Sequence, residues 1–134
     1  MLPPLICKAH EAKMNGASEL VVWGSGTPIR ELLYVDDLAD ACVFLMDQGV
    51  SSGLYNIGTG EDVTIRALAE TVMTVVGFNG RIVFDASKPD GTPRKLLDVT
   101  SMRNLGWQSR IELTDGITRS YRDFLATRVP VALD

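Results

Sequence analysis

The chain has 134 residues, 46% of them hydrophobic and 22% charged, with a formal net charge of -4 at pH 7. That is the size of one domain and the composition of an ordinary globular protein, which excludes a disordered or fibrous chain. The acidic balance argues against a general nucleic-acid binder, and no apolar run approaches the roughly 20 residues of a membrane span.

The opening stretch, MLPPLICKAHEAKMNG, lacks the basic start and apolar core of a secretory signal. It reads instead as a helix, with Pro3 and Pro4 tolerated in the first turn and Gly16 placed to end it. ELVVWG is a short buried strand, and GSGTP is a turn into a second extended run, IRELLYV. Asp36 is the expected N-cap of a helix whose inner stripe is Leu38, Ala41, Cys42, Leu45 and Met46, ending at Gly49. LYNIG reads as a strand broken by the turn at Gly58, Thr59 and Gly60. Thr64 caps the next helix, with Leu68, Val72, Val75 and Val76 inward and Gly77 as its stop. RIVFD is a strand that feeds the loop ASKPDGTPRK. A short helix spans Met102 to Leu105 and ends near Gly106 and Trp107. Thr114 caps a last helix carrying Ile117, Tyr121, Phe124 and Leu125 on one face. The tail RVPVALD carries no readable signal.

Strands alternating with helices give an α/β (α+β) arrangement. The strands are too few for a complete doubly wound sheet, so residues 1–134 read as one part of a larger protein. Cys7 and Cys42 form no CxxC pair and read as small apolar core fillers in a reducing cytoplasm. The lone histidine, His10, stands beside Glu11 with no metal or triad partners, and reads as a solvated helix position.

Chemistry-bearing motifs are mostly missing. WGSGTP and IGTGED each hold two glycines, but neither continues as GxGxxG into a helix, and no P-loop occurs. Tyr34, Tyr55 and Tyr121 are followed four residues later by Leu38, Thr59 and Leu125, so no Tyr-x-x-x-Lys pair is present. No catalytic residue is assigned within this chain.

VVWGSGTPIRELLYVDDLADA, FDASKPDGTPRKLLDVT and LGW together resemble the GDP-L-fucose synthase family, which belongs to the extended short-chain dehydrogenases acting on nucleotide sugars. The likeness runs from about Leu2 to Leu125. It implies a soluble, two-domain, NADP-dependent enzyme that converts GDP-4-keto-6-deoxy-D-mannose to GDP-L-fucose by epimerisation at C3 and C5 and reduction at C4. It also implies that the NADP-binding Rossmann domain, the Tyr-x-x-x-Lys pair and the epimerisation cysteine lie N-terminal to these residues. This chain then corresponds to the C-terminal, GDP-sugar-binding portion, inactive alone, of a full-length homodimer with neither nucleic acid nor membrane as partner. Leu32 stands where the family commonly has Phe, and the link from Gly49 to Leu54 is short.

Carried over residue by residue, the family's substrate contacts fall on Lys8, Trp23, Arg30 and Arg81, with Asp90 and Lys95 as additions. Each has a physical reason and a plainer alternative. The planar fork of Arg30 suits a diphosphate, whereas the alternative is a surface pair with Glu31. Lys8 is either a phosphate cation or an ordinary helix lysine. Trp23 is either a wall for the nucleotide or core packing. Arg81 faces the same cleft if the strand ends converge. Asp90 is an acceptor for a guanine edge or sugar hydroxyl, or else an Asp-Gly turn residue. Lys95 and Arg94 add positive potential or are simply solvated, while Pro89 and Pro93 limit the loop's freedom before binding. Two other readings stand beside this one: a part of another nucleotide-sugar epimerase or dehydratase, and a non-catalytic GDP-sugar-binding module.

Overall fold

A computed structural model describes residues 2–127. In chain order the elements are α1 (Leu2–Met14), β1 (Glu19–Trp23), β2 (Ile29–Arg30), α2 (Val35–Asp47) and β3 (Val63–Thr64). There follow α3 (Ile65–Val76), β4 (Arg81–Asp85), β5 (Arg94–Lys95), α4 (Thr100–Leu105) and α5 (Leu113–Thr127). The reading of the tail RVPVALD lies outside the described residues.

Two small sheets organise this α/β chain. β1 and β4 pair in parallel, with Glu19 opposite Arg81 and Trp23 opposite Asp85. β2 is the centre of the other sheet, antiparallel to β3 and parallel to β5. A strand alternates its side chains between two faces, and β1 does so cleanly. Leu20 and Val22 are buried, whereas Val21 and Trp23 are 44% and 63% exposed. The inward pair joins Leu5, Ile6 and Ala9 of α1, Leu68, Ala69, Val72 and Val76 of α3, and Ile117 of α5 in the main core.

Local signals set α3 closely. The Thr64 hydroxyl accepts from the Ala67 N–H at 3.1 Å, satisfying one of the donors left open at a helix start. At the other end Gly77 sits at φ +74°, a left-handed position that favours glycine, and its N–H reaches back to the Met73 and Thr74 carbonyls.

Several expectations need correction. α2 begins one residue before Asp36, its N-cap position is Tyr34, and no side chain caps it. The neighbouring Asp37 turns inward, only 4% exposed, and accepts from the N–H groups of Arg110 and Ile111 at 3.1 and 2.9 Å. It ties the start of α2 to the segment leading into α5. Asp40 similarly accepts from the Trp107 indole N–H at 2.8 Å, beside a second core of Ala41, Met102 and Trp107.

Of the expected stripe on α2, Ala41 is fully buried and Leu45 half-buried, but Leu38, Cys42 and Met46 are exposed. Helical spacing marks an apolar face without saying that these residues cover it. Cys42 is therefore no core filler, and Cys7 is only half-buried. LYNIG forms no strand; Tyr55 and Ile57 pack on the second core, and the Asn56 amide donates to the Asp98 carbonyl at 3.2 Å. Of IRELLYV, only Ile29–Arg30 is strand. α5 starts at Leu113, so Thr114 lies inside it. His10 is half-buried, its Nδ1 3.0 Å from the Tyr121 hydroxyl and its ring against Phe124.

A buried carboxylate with two backbone donors cannot be removed without leaving those donors unpaired. Asp37→Ala is expected to lower the unfolding free energy by about 1–3 kcal/mol in a urea titration. Asp36→Ala, on the exposed side of the same turn, should stay within about 0.5 kcal/mol of the parent.

Candidate functional site

Because β1 and β4 are parallel, the chain leaves both strands at the same end. The turn after Trp23 and the loop after Asp85 therefore rise side by side. The Asp90 carboxylate fastens them: Oδ1 accepts from the Ser25 N–H at 2.6 Å, and Oδ2 accepts from the Ser25 hydroxyl at 2.8 Å. Gly24, at φ +88°, makes this approach feasible, since a Cβ at that position would overlap the Asp90 carboxylate. The returning arm of the loop is held as well, with the Ile29 N–H donating to the Pro93 carbonyl at 2.8 Å and β5 paired to β2. The Asp85 carboxylate accepts from the Ser87 N–H and hydroxyl at 3.1 and 2.6 Å, shaping the outgoing arm.

Under this loop lies a cavity of about 440 Å³ lined by Pro4, Leu5, Lys8, Val21, Val22, Trp23, Arg30, Ile65 and Asp90. Its volume falls within the ordinary range for small-ligand sites, and its walls combine apolar surface with a few convergent polar groups. Lys8 lies two turns into α1 with its ammonium 4.9 Å from the Trp23 ring centroid. Trp23 is the last residue of β1, directed out of the core by the strand's alternation. Arg30 ends β2, and its guanidinium donates to the Ile29 carbonyl at 2.7 Å. Four of the six residues expected at a binding site thus share one cavity.

The other two stand elsewhere. Arg81 opens β4, four residues and about 13 Å of strand from the Trp23 end, and is bonded to Glu19 through both Nε and Nη2. The strand ends that converge are the C-terminal ones, and Arg81 is at the opposite end. Lys95 is opposite Arg30 across the β2–β5 pairing, exposed and outside the cavity lining. Arg94 is drawn away by an ion pair with Asp62, Nε to Oδ2 at 2.6 Å. Glu31, the partner considered for Arg30, is engaged differently. Its Oε1 accepts from the Gly60 N–H at 2.7 Å and its Oε2 from the Leu97 N–H at 2.9 Å.

Two residues of this region escaped the sequence reading as site residues. Ser25 sits between two turn glycines, where a hydroxyl looks like turn composition; only the fold reveals that it holds Asp90. Lys88 was visible as a loop cation, yet its ammonium lies 5.5 Å from the Trp23 ring, on the same indole as Lys8.

The glycine turns were also the only candidates for a cofactor diphosphate. In each, a carboxylate of this chain already takes the backbone N–H that a phosphate would need, Asp90 at Ser25 and Glu31 at Gly60. Those turns do not fit a dinucleotide. Among the described residues no group of three or more His, Cys, Asp or Glu could hold a metal ion, and no helix is long and apolar enough to cross a membrane.

The model of a family described as the NAD dependent epimerase/dehydratase family matches residues 1–58. The chain is 56% identical over 125 residues to the putative GDP-L-fucose synthase 2 of Arabidopsis thaliana, an alignment spanning 93% of this chain and 38% of that protein. Over 93% of its length the chain is similar to GDP-L-fucose synthases. It spans less than half the length of the curated relatives it matches. Among solved structures, a GDP-L-fucose synthetase from Naegleria fowleri bound to NADP superposes with a TM-score of 0.84 at 30% identity, over 94% of this chain and 40% of that one. A GDP-6-OMe-4-keto-L-xylo-heptose reductase from C. jejuni matches with the same TM-score of 0.84 at 30% identity, over 94% of this chain and 47% of that one. As members of one extended short-chain dehydrogenase architecture, these neighbours share the α/β fold described above.

Hydrogen bonding from Ser25, its N–H first and its hydroxyl second, holds the Asp90 carboxyl below the usual carboxylate range. The depressed value means that the tie is intact above the unfolded-state pKa and is lost as pH falls through the folded-state one. Ser25→Ala removes the hydroxyl but keeps the N–H. It is expected to raise the Asp90 pKa part of the way to its ordinary value, followed by carboxyl-carbon NMR across an acid titration.

Proposed function

We propose that this chain is the C-terminal, GDP-sugar-binding portion of a GDP-L-fucose synthase, with the cavity beneath the Lys88–Lys95 loop as the seat of the GDP group. The full enzyme would act in the cytoplasm on GDP-4-keto-6-deoxy-D-mannose, epimerising C3 and C5 and reducing C4 with NADPH. In this reading the NADP-binding domain and the proton-transferring residues belong to the other portion of that enzyme. When bound there, NADPH supplies the hydride. What this chain contributes is binding and orientation of the substrate.

The observation that carries this reading is the gathering of Lys8, Trp23, Arg30 and Asp90 on one cavity in a chain 56% identical to a plant relative bearing that name. The chemistry fits each residue. Arg30 offers a rigid fork of donors to phosphate oxygens, and Lys8 adds a compact positive charge. Trp23 supplies an apolar wall. Asp90 keeps lone pairs beyond those used by Ser25, and an acceptor-only carboxylate suits the N–H groups of a guanine edge or a sugar hydroxyl. A neighbouring reading, a portion of a reductase acting on another GDP-linked keto sugar, is favoured by the C. jejuni match. Both readings place GDP in the same cavity and differ only in the sugar.

Calorimetry of the 134-residue chain with GDP, UDP and dTDP tests the nucleotide. GDP is expected to bind most tightly, and Arg30→Ala should weaken it by about tenfold or more, the scale of a charge-assisted hydrogen bond. Preference for UDP would contradict the reading. Turnover of keto-sugar by the isolated chain with NADPH would contradict the division of labour between the two portions.

A further inference from the structure

We propose that Lys88 is a further binding residue of this cavity, a second ammonium that grips the diphosphate of a nucleoside diphosphate from the loop side while Lys8 grips it from α1. The inference rests on the reading of the cavity as a GDP seat and deepens it.

Trp23 is the starting point. Its indole, 63% exposed, has the Lys8 ammonium 4.9 Å and the Lys88 ammonium 5.5 Å from its ring centroid. Both lie within the roughly 6 Å over which a ring attracts a cation. One aromatic side chain thus gathers two like charges that would otherwise repel each other. Arg30 brings a third cation to the same cavity. The ion pairs among the described residues join Arg81 to Glu19, Arg94 to Asp62 and Arg119 to Asp115, so none neutralises Lys8, Lys88 or Arg30. Asp90 lies in the same cavity and attracts Arg30, and Asp85 attracts Lys88, so this positive charge is offset only in part, and a ligand anion adds to what relieves it.

The backbone of Lys88 is held on both sides. Before it, the Asp85 carboxylate takes the N–H and hydroxyl of Ser87, and the Asp85 carbonyl accepts the Lys88 N–H at 3.2 Å. After it, Pro89 restricts the chain and Asp90 is fastened to Ser25. The root of the side chain is therefore fixed in the loop just after Asp85, the register partner of Trp23, while the ammonium, attracted by the Asp85 carboxylate, forms no ion pair among the described residues. Binding need order only the four-carbon stem, which keeps the entropy cost low. A compact ammonium suits phosphate oxygens, and a position at the rim suits the exposed phosphates of a nucleotide more than its base.

The test compares Lys88→Ala and Lys88→Arg with the parent 134-residue chain, using guanosine, GMP and GDP as ligands in calorimetry, with Arg30→Ala in parallel. Lys88→Ala is expected to weaken GDP about tenfold, to weaken GMP less and to leave guanosine unchanged. Lys88→Arg should restore most of the GDP affinity, and added salt should narrow the gap between parent and Lys88→Ala. Equal losses for guanosine and GDP would mean that Lys88 acts only by propping Trp23, and would overturn the proposal. So would unchanged GDP binding in Lys88→Ala while Arg30→Ala is weakened. If the parent chain shows no affinity for GDP, or Arg30→Ala binds it normally, the cavity is not a GDP seat and this proposal falls with it. Lys88 is exposed and its side chain makes no hydrogen bond among the described residues, so an unchanged thermal transition in both variants separates lost binding from lost structure.

Discussion

The parallel pairing of β1 with β4 is the constraint from which the site follows. Two parallel strands deliver their following segments to the same edge, whereas an antiparallel pair would send them to opposite ends. Here that edge receives the Gly-Ser-Gly turn and the Pro-Gly loop, and a single carboxylate, Asp90, closes the gap between them. The same ladder explains why Arg81 is not part of the arrangement. It occupies the other end of β4, where Glu19, its register partner, claims it.

Alternation along β1 supplies the second half of the arrangement. Leu20 and Val22 commit to the core between α1 and α3, and that commitment forces Val21 and Trp23 to the opposite face. A large aromatic at the end of a buried strand is thereby left uncovered, beside a helix lysine and a loop lysine. Leu5 and Val22 of that core also form part of the cavity wall, and the same core determines which face the indole occupies. Asp37 plays a comparable part for the other side of the chain, anchoring α2 to the residues that lead into α5.

Much of the element order could be read from residues alone. The Thr64 cap, the stripe Leu68, Val72 and Val76, and the stop at Gly77 are local signals, and local signals survive folding. Legibility failed where the outcome depends on distant partners. LYNIG has strand composition but finds no pairing, and instead packs Tyr55 and Ile57 on Trp107's cluster. Asp36 is the cap that local sequence suggests, but the helix start carries no side-chain cap, and the approach of Arg110 and Ile111 makes the neighbouring Asp37 the anchor. The spacing of Leu38, Cys42 and Met46 marks an apolar stripe, but coverage by another element is not a local property. At the site, the family resemblance supplied residue types, while the convergence of Lys8, Trp23, Arg30 and Asp90 required the parallel ladder. Ser25 was out of reach because a turn serine carries no distinguishing pattern, and Lys88, legible as one of the cations around Pro89, Gly91 and Pro93, could not be placed on the Trp23 ring without the fold.

The most direct measurement is a titration of the isotope-labelled chain with GDP, following backbone amides and the indole N–H groups by NMR. Binding in the cavity should shift the Trp23 indole and the amides of Lys8, Ser25, Arg30 and Asp90 along one saturation curve, while Arg81 and the Trp107 indole stay in place. Shifts centred on Arg81 and Glu19, with Trp23 and Asp90 unmoved, would contradict it.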